Sequence, residues 1–366
     1  MQDYLSARTE QRQHINLSKH AYGIIAEDSF SFWGKTNISG MINAIYHGFA
    51  ETSMASISIA SRMYREKMIE TIKAEKETKS LSDVAIDTVE CCTKGYIKEL
   101  QGKTKDATKD ITLKIRLQND IYDDLYPENG SRWAEAEYYP SPSQYLKALC
   151  EDYAAQTYFE REAIVFKENL DNLQLYIDNN EKRPILTISY VSARGNHYKY
   201  DVKPLRISTA VEAEYHYLIC LSKKVGSGNN EYAPASFRVS RIAGITPHAL
   251  SAGSGKLTAK QQKELNEAVA KNGVAFLFTS SKSYVVKLTE KGIQNYNQLT
   301  HLRPIATKKE FCKDGSGIFT FDCTEAQIDY YFFSFAKEAK VISHPELREK
   351  MRQKFLEAYE CYSKAD

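Results

Sequence analysis

The 366 residues hold 49 lysines and arginines against 47 aspartates and glutamates, a net charge of +2. So nearly neutral a chain is no polycation, and any nucleic-acid surface must come from local clustering of its basic residues. With 42% hydrophobic and 26% charged residues it has the composition of a soluble globular protein, too long for one ordinary core and long enough for two or three domains.

Seven cysteines stand at unrelated spacings with no C-x-x-C pair, and Cys91 and Cys92 are adjacent. That usage fits reduced thiols in the cytoplasm better than a disulfide framework or a zinc site. No signal-peptide core and no apolar run of membrane length occurs, so no membrane partner is expected. The 25 tyrosines are an excess that must be explained by buried hydroxyls or by stacking surfaces.

The first domain is expected over 1–160 and contains an internal repeat. Residues 12–17 alternate, with Ile15 and Leu17 on one face and Arg12, His14 and Asn16 on the other. A helix is expected from about Lys19, a break at Gly34-Lys35, and a second helix after the polar capping residue Asn37. The pattern recurs a hundred residues on. Residues 111–117 alternate, presenting Thr112, Lys114 and Arg116 outward, and residues 143–149 repeat the pattern of 39–45. Between the repeats, 54–101 reads as helical and charge-mixed. Strand, helix, turn, helix resembles the ribbon-helix-helix fold of DNA-binding repressors. One such unit cannot close a core, so two copies within this chain are expected to pair their strands. The resemblance implies that Arg12, His14, Asn16, Lys114 and Arg116 face the major groove of DNA; a solvated polar ribbon face explains the same alternation.

Helices are expected over 145–179, then a second domain over 161–250. Four strand-like runs, at 185–191, 197–204, 215–221 and 235–242, are separated by glycine- and asparagine-containing turns. Such spacing indicates a small antiparallel barrel. Phe237 and Val239 are expected inside, with Arg238 and Ser240 outside. Ile188-Ser189-Tyr190, Val202-Lys203-Pro204-Leu205, His216-Tyr217-Leu218-Ile219 and 237–242 together resemble the WYL domain, an Sm-like, SH3-type barrel of prokaryotic regulators and CRISPR-associated proteins. His216 stands where tryptophan is usual, and Tyr200 and Asp201 stand where an arginine is frequent. The donors and aromatics Tyr190, Lys199, Lys203, His216, Tyr217, Arg238, Ser240 and Arg241 form a candidate single-stranded nucleic-acid site, cations for phosphates and rings for unpaired bases. A tyrosine in an apolar run, as Tyr217 is, is more often a core residue with its hydroxyl satisfied internally, and a structural clamp is the alternative for Arg241.

The third domain is expected over 251–366. Residues 251–256 superficially resemble a phosphate loop, but Leu257 stands where serine or threonine is required, so no nucleotide site is assigned there. Strand, helix, strand, strand, helix, short strand and terminal helix follow, a ferredoxin-like α+β arrangement similar to the extension behind many WYL domains. In the aromatic helix starting at Glu325, Ile328, Tyr331, Phe332 and Phe335 make the core stripe. Tyr330 and Phe333 are left over and mark a homodimer interface, or else packing against the terminal helix.

No metalloprotease motif, nucleophile elbow or recognisable carboxylate pair occurs, so neither catalytic residues nor metal ligands nor cofactors are assigned. The expected class is multidomain α+β. Its order of parts resembles the WYL-domain accessory proteins of type VI-D CRISPR systems. The resemblance implies binding of single-stranded RNA and stimulation of an RNA-guided RNA nuclease. A repressor that binds operator DNA through the ribbon, with the barrel sensing a ligand, is the alternative; a scaffold without nucleic acid is a third.

Overall fold

The computed structural model describes residues 12–76, 81–105, 111–126, 139, 141–179, 183–192, 195–210, 215–228, 231–248, 254–277 and 282–363. The chain divides into two compact units, Met1–Glu168 and Asn169–Asp366. No helix among the described residues is long and apolar enough to cross a membrane.

In the first unit β1 (Arg12–Leu17) leads into α1 (Lys19–Trp33) and α2 (Ile38–Phe49), followed by the inserted pair α3 (Ile57–Lys76) and α4 (Asp83–Lys105). Then β2 (Ile111–Arg116) leads into α5 (Asn119–Leu125) and α6 (Pro142–Ala154), and α7 (Tyr158–Val165) follows. Local chemistry sets these boundaries. The Ser18 hydroxyl accepts from the Ala21 N–H to start α1, and Gly34 ends it at φ 70°, a left-handed conformation that glycine takes without steric cost. Asn37 caps α2, Ser141 caps α6 ahead of Pro142, and Thr157 with Glu160 forms a capping box on α7. Gly48 has no room for a Cβ against the Ile164 carbonyl, so α2 and α7 lie in close backbone approach.

β1 and β2 pair antiparallel, Arg12 opposite Arg116 and Leu17 opposite Ile111. Their inward residues Ile15, Leu17 and Ile115 join Met41, Ile42 and Ile45 of α2 and Leu146, Leu149 and Tyr153 of α6 in one core. Both repeats therefore supply every layer of it. A polar network crosses the same core. Arg161 of α7 donates to Asp28 of α1 through Nε at 2.6 Å and Nη2 at 3.3 Å, and the Tyr153 hydroxyl donates to the same carboxylate at 2.7 Å.

The second unit continues from α8 (Lys167–Asp178) into a five-stranded antiparallel sheet of β3 (Leu186–Val191), β4 (His197–Ala210), β5 (Tyr215–Lys224), β6 (Ala233–Arg238) and β7 (Ile242–Pro247), in the order β6-β5-β4-β3-β7. This departs from expectation at three points. β4 runs past Pro204 to Ala210, because a bulge between Pro204 and Arg206 lets pairing with β5 resume. The last expected strand is two: β6 stops at Arg238, a 3₁₀ turn covers Val239–Arg241, and β7 returns to pair with β3. Among the described strands the sheet does not close into a barrel, since β6 and β7 remain its two edges.

Helix α9 (Ala259–Asn272), opened by a Thr258–Gln261 capping box, follows in a stretch where sequence pattern indicated no element. The unit ends with β8 (Lys282–Leu288), α10 (Glu290–Gln298), β9 (Ala306–Phe311), β10 (Gly317–Cys323), α11 (Glu325–Phe333), β11 (Ala339–Val341) and α12 (Pro345–Ser363). Strand order β11-β8-β10-β9 with this alternation of helices is the split β-α-β arrangement of ferredoxin-like folds. β9 lies four residues beyond its expected position: Pro304 holds the earlier segment and accepts the Tyr296 hydroxyl at 2.9 Å.

Candidate nucleic-acid interface

The side chains expected to meet nucleic acid lie in two places, the paired strands of the first unit and the five-stranded sheet of the second. On the paired strands β1 and β2, Arg12, His14, Thr112, Lys114 and Arg116 are exposed and Asn16 is half-buried. The register sets Arg12 opposite Arg116, His14 opposite Lys114, and Asn16 opposite Thr112. The Thr112 hydroxyl donates to Asn16 Oδ1 at 2.8 Å, tying the third rung. Each strand is held from behind by the second helix of a repeat. Asn43 of α2 donates to the Arg116 carbonyl at 3.1 Å, Ser39 at the start of α2 accepts from the Arg116 N–H at 3.2 Å, and Ser143 of α6 donates to the His14 carbonyl at 2.5 Å. Two helix N-termini thus flank a face with basic residues on both strands, a setting that suits phosphate.

On the five-stranded sheet, strand pairing divides the expected residues between two faces. Leu186, Ile188, Val202, Leu218 and Phe237 are buried on one, the core face, and Tyr190 and His216 belong with them. Lys199, Lys203, Tyr217 and Arg238 belong to the opposite face. There Ile219, Leu221, Leu257, Leu265 and Leu277 form a second cluster, with Tyr217 and Tyr232 packed against it. The eight residues therefore do not form one site.

Arg238 and Ser240 were expected to point outward, and both are buried, Arg238 with 9% of its surface exposed. Alternation fails there because the strand ends at Arg238 and the chain enters the 3₁₀ turn. The Arg238 guanidinium carbon lies 3.1 Å above the centre of the Tyr215 ring, and Nε donates to the Ser240 hydroxyl at 2.6 Å. His216 is also buried, while Tyr217 and Arg241 are half-buried.

Several ligand-competent side chains escaped sequence reasoning. Tyr198 and Tyr200 share the core face with Tyr190, opposite Tyr190 and Ile188 respectively, and Lys224 sits opposite Tyr200. The Lys224 ammonium lies 4.4 Å from the Tyr198 ring centre. On the opposite face Lys203 and Lys223 lie 5.0 and 5.5 Å from the Tyr232 ring centre. Asp201 accepts from the Thr187 hydroxyl at 2.8 Å and has Lys223 at 3.7 Å and His248 at 3.3 Å. Burial, with neighbouring tyrosines, raises the Tyr200 hydroxyl pKa; burial and the nearby Asp201 raise that of Tyr232. Both stay neutral hydrogen-bonding groups at physiological pH. The signal for Tyr198 and Tyr200 was present as two tyrosines at i and i+2 on a strand.

In the third segment the core stripe Ile328, Tyr331, Phe332 and Phe335 is buried and Tyr330 is 60% exposed. Phe333 is spent within the chain, stacked on Phe355 of α12 at 4.8 Å. It is a packing residue between α11 and α12 and not a free interface group. Among the described residues no group of three or more histidines, cysteines or acids is placed to hold a metal ion.

No protein-family model matches the sequence, and neither does any curated protein. Among solved structures, the crystal structure of a CRISPR Cas-related protein superposes with a TM-score of 0.72 at 24% identity, covering 96% of this chain and 94% of that one. At that identity the two share a fold, and they share it nearly end to end. The proteasome accessory factor B/C of Arthrobacter aurescens covers 61% of this chain and 33% of its own at a TM-score of 0.29 and 15% identity, too loose a superposition to argue from.

Proposed function

We propose that this chain is a single-stranded RNA-binding accessory protein that enhances the RNA-guided RNA nuclease of a type VI-D CRISPR system, working in the cytoplasm as a homodimer. The observation that carries the proposal is the match to a CRISPR Cas-related protein across 96% of this chain and 94% of that one, which is the fold of all its parts in one order. On this view the paired strands with their helices are a ribbon-helix-helix built from two copies in one chain. The five-stranded sheet corresponds to the WYL domain, its last strand returning to pair with the first after a 3₁₀ turn. The three functional segments, 1–160, 161–250 and 251–366, are distributed over the two compact units. Tyr190, Lys199, Lys203 and Arg241 are offered as RNA contacts, whereas His216, Tyr217, Arg238 and Ser240 support the sheet that carries them. The homodimer contact is placed at the exposed Tyr330; a monomer in sedimentation equilibrium removes it.

Filter binding with unstructured RNA and with duplex DNA, both at one stated salt concentration, tests the proposal together with RNA cleavage by a type VI-D nuclease with and without the protein. Tight RNA binding, weak duplex binding and faster cleavage are expected. Preference for duplex DNA would favour a repressor, and one observation speaks for that second function. Like-charged or basic side chains face each other at two successive rungs of the ribbon, Arg12 with Arg116 and His14 with Lys114. Directly opposed like charges weaken strand pairing, and an anionic partner laid across both rungs would offset that repulsion.

A further inference from the structure

We infer that Lys199, Lys203 and Lys223, with His197, form a track for the phosphate backbone of single-stranded RNA along β4, on the face of the five-stranded sheet opposite its core face. This track rests on the RNA-binding function proposed above and adds that the sheet grips the backbone, not the bases, and with which cations.

β4 is the central strand of the sheet. Alternation puts His197, Lys199, Asp201 and Lys203 on one face of it, each about 7 Å from the next at about 3.4 Å per residue. An extended single strand of RNA offers its phosphates at a similar repeat. Lys223 of β5 stands opposite Asp201 and so joins this face, diagonal to Lys203. In the row of Lys199 the register places Ser189 of β3 and then Gly244 of β7, so no bulky side chain stands between β4 and the β7 edge there. Farther along the face the packing of α9 takes over, where Leu221, opposite Lys203, is buried with Leu257, Leu265 and Leu277. His197 and Lys199 are exposed, and Lys203 and Lys223 are half-buried.

Charge selects the ligand. Asp201 is the only acid in the five strands. Its carboxylate is already engaged, by the Thr187 hydroxyl at 2.8 Å, His248 Nε2 at 3.3 Å and the Lys223 ammonium at 3.7 Å. Among the described residues Lys199 and Lys203 have no ion-pair partner. A solvated helix face in the same unit is built differently, since Lys260 and Lys263 of α9 each have a glutamate one turn on, Glu264 and Glu267. Lysines that guard a sheet against further pairing belong on edge strands, and β4 is not one. Lys203 and Lys223 both converge on the Tyr232 ring, at 5.0 and 5.5 Å from its centre, and an anion beside them would offset their repulsion. Cations at a regular repeat on a polar face, with the one acid neutralised, suit a polyanion. Lys224 supplies the contrast: next in sequence to Lys223, it lies on the core face, over Tyr198.

The full chain should be titrated with a short oligouridylate by fluorescence anisotropy over a range of salt. The wild type is compared with Lys199→Ala combined with Lys203→Ala, with Lys199→Arg combined with Lys203→Arg, and with Lys224→Ala. The double alanine variant should lower the slope of log K against log salt by about 1.4, two phosphates at about 0.7 each. The double arginine variant, which keeps both charges, and Lys224→Ala should keep the wild-type slope. A second measurement does not depend on how the variants fold: lysine acetylation of the wild type with and without the RNA, read by mass spectrometry. Lys199, Lys203 and Lys223 should be protected by the RNA, and Lys224 should react as before. If the double alanine variant keeps the wild-type slope and the protected lysines lie elsewhere, these side chains only solvate the sheet, and the inference is wrong while RNA binding stands. If the wild type fails to bind the RNA at low salt, the RNA-binding function falls and this track falls with it.

Discussion

Arg238 shows how one residue's surroundings change its meaning. An arginine on the outward register of a strand is a ligand contact; the same arginine at the last position before a 3₁₀ turn is folded back over Tyr215 and bonded to Ser240. Removing it takes away a cation–π stack and the donor to a buried hydroxyl. Arg238→Ala is therefore expected to cost about 2 kcal/mol of stability, read as a lower denaturant midpoint. Ser240→Ala, which removes the acceptor but leaves the stack, should cost about half as much. An unchanged midpoint in Arg238→Ala would show that the guanidinium contributes nothing where it lies. Tyr330 and Phe333 part in the same way: both fall outside the core stripe, yet only Tyr330 is exposed, because α12 brings Phe355 against Phe333. Nothing in the order of residues around Arg238 or Phe333 reveals those distant partners.

Elements fared better where local chemistry defines them. Asn37 and Gly34 bound the first helices at the positions that capping preferences indicate, and the alternation at 12–17 and 111–116 gave both ribbon strands their inward faces. α9 was missed because only a narrow stripe of it, Leu265 with Ala268 and Val269, packs on the sheet, so its apolar period is weak; the Thr258–Gln261 capping box was its legible mark. The network joining α1, α6 and α7 was illegible for another reason. Asp28, Tyr153 and Arg161 are separated by more than a hundred residues or sit in helices whose contacts only the fold creates. Asp28 is fully buried, so Asp28→Ala leaves the Arg161 guanidinium without its counter-charge and should destabilise the first unit by about 3–5 kcal/mol. The double variant Asp28→Ala with Arg161→Met should recover part of that loss. A single variant that melts with the wild type would show that the ion pair is dispensable.

Across the chain the two repeats are interdependent, since Ile15 and Leu17 share a core with Ile115, Leu117 and the α6 residues Leu146 and Leu149. A nucleic-acid partner of the first unit would meet side chains drawn from both repeats at once, because every basic rung has one member on β1 and one on β2. This gives the ribbon and the sheet different signatures in one experiment. Arg12→Ala combined with Arg116→Ala removes one rung and two cations, leaving the sheet of the second unit untouched. If RNA lies on the sheet alone, the double variant should bind single-stranded RNA with wild-type affinity and wild-type salt slope. If the ribbon grips the strand, the slope should fall by about 1.4, two phosphates at about 0.7 each, and for duplex DNA by about 1.8.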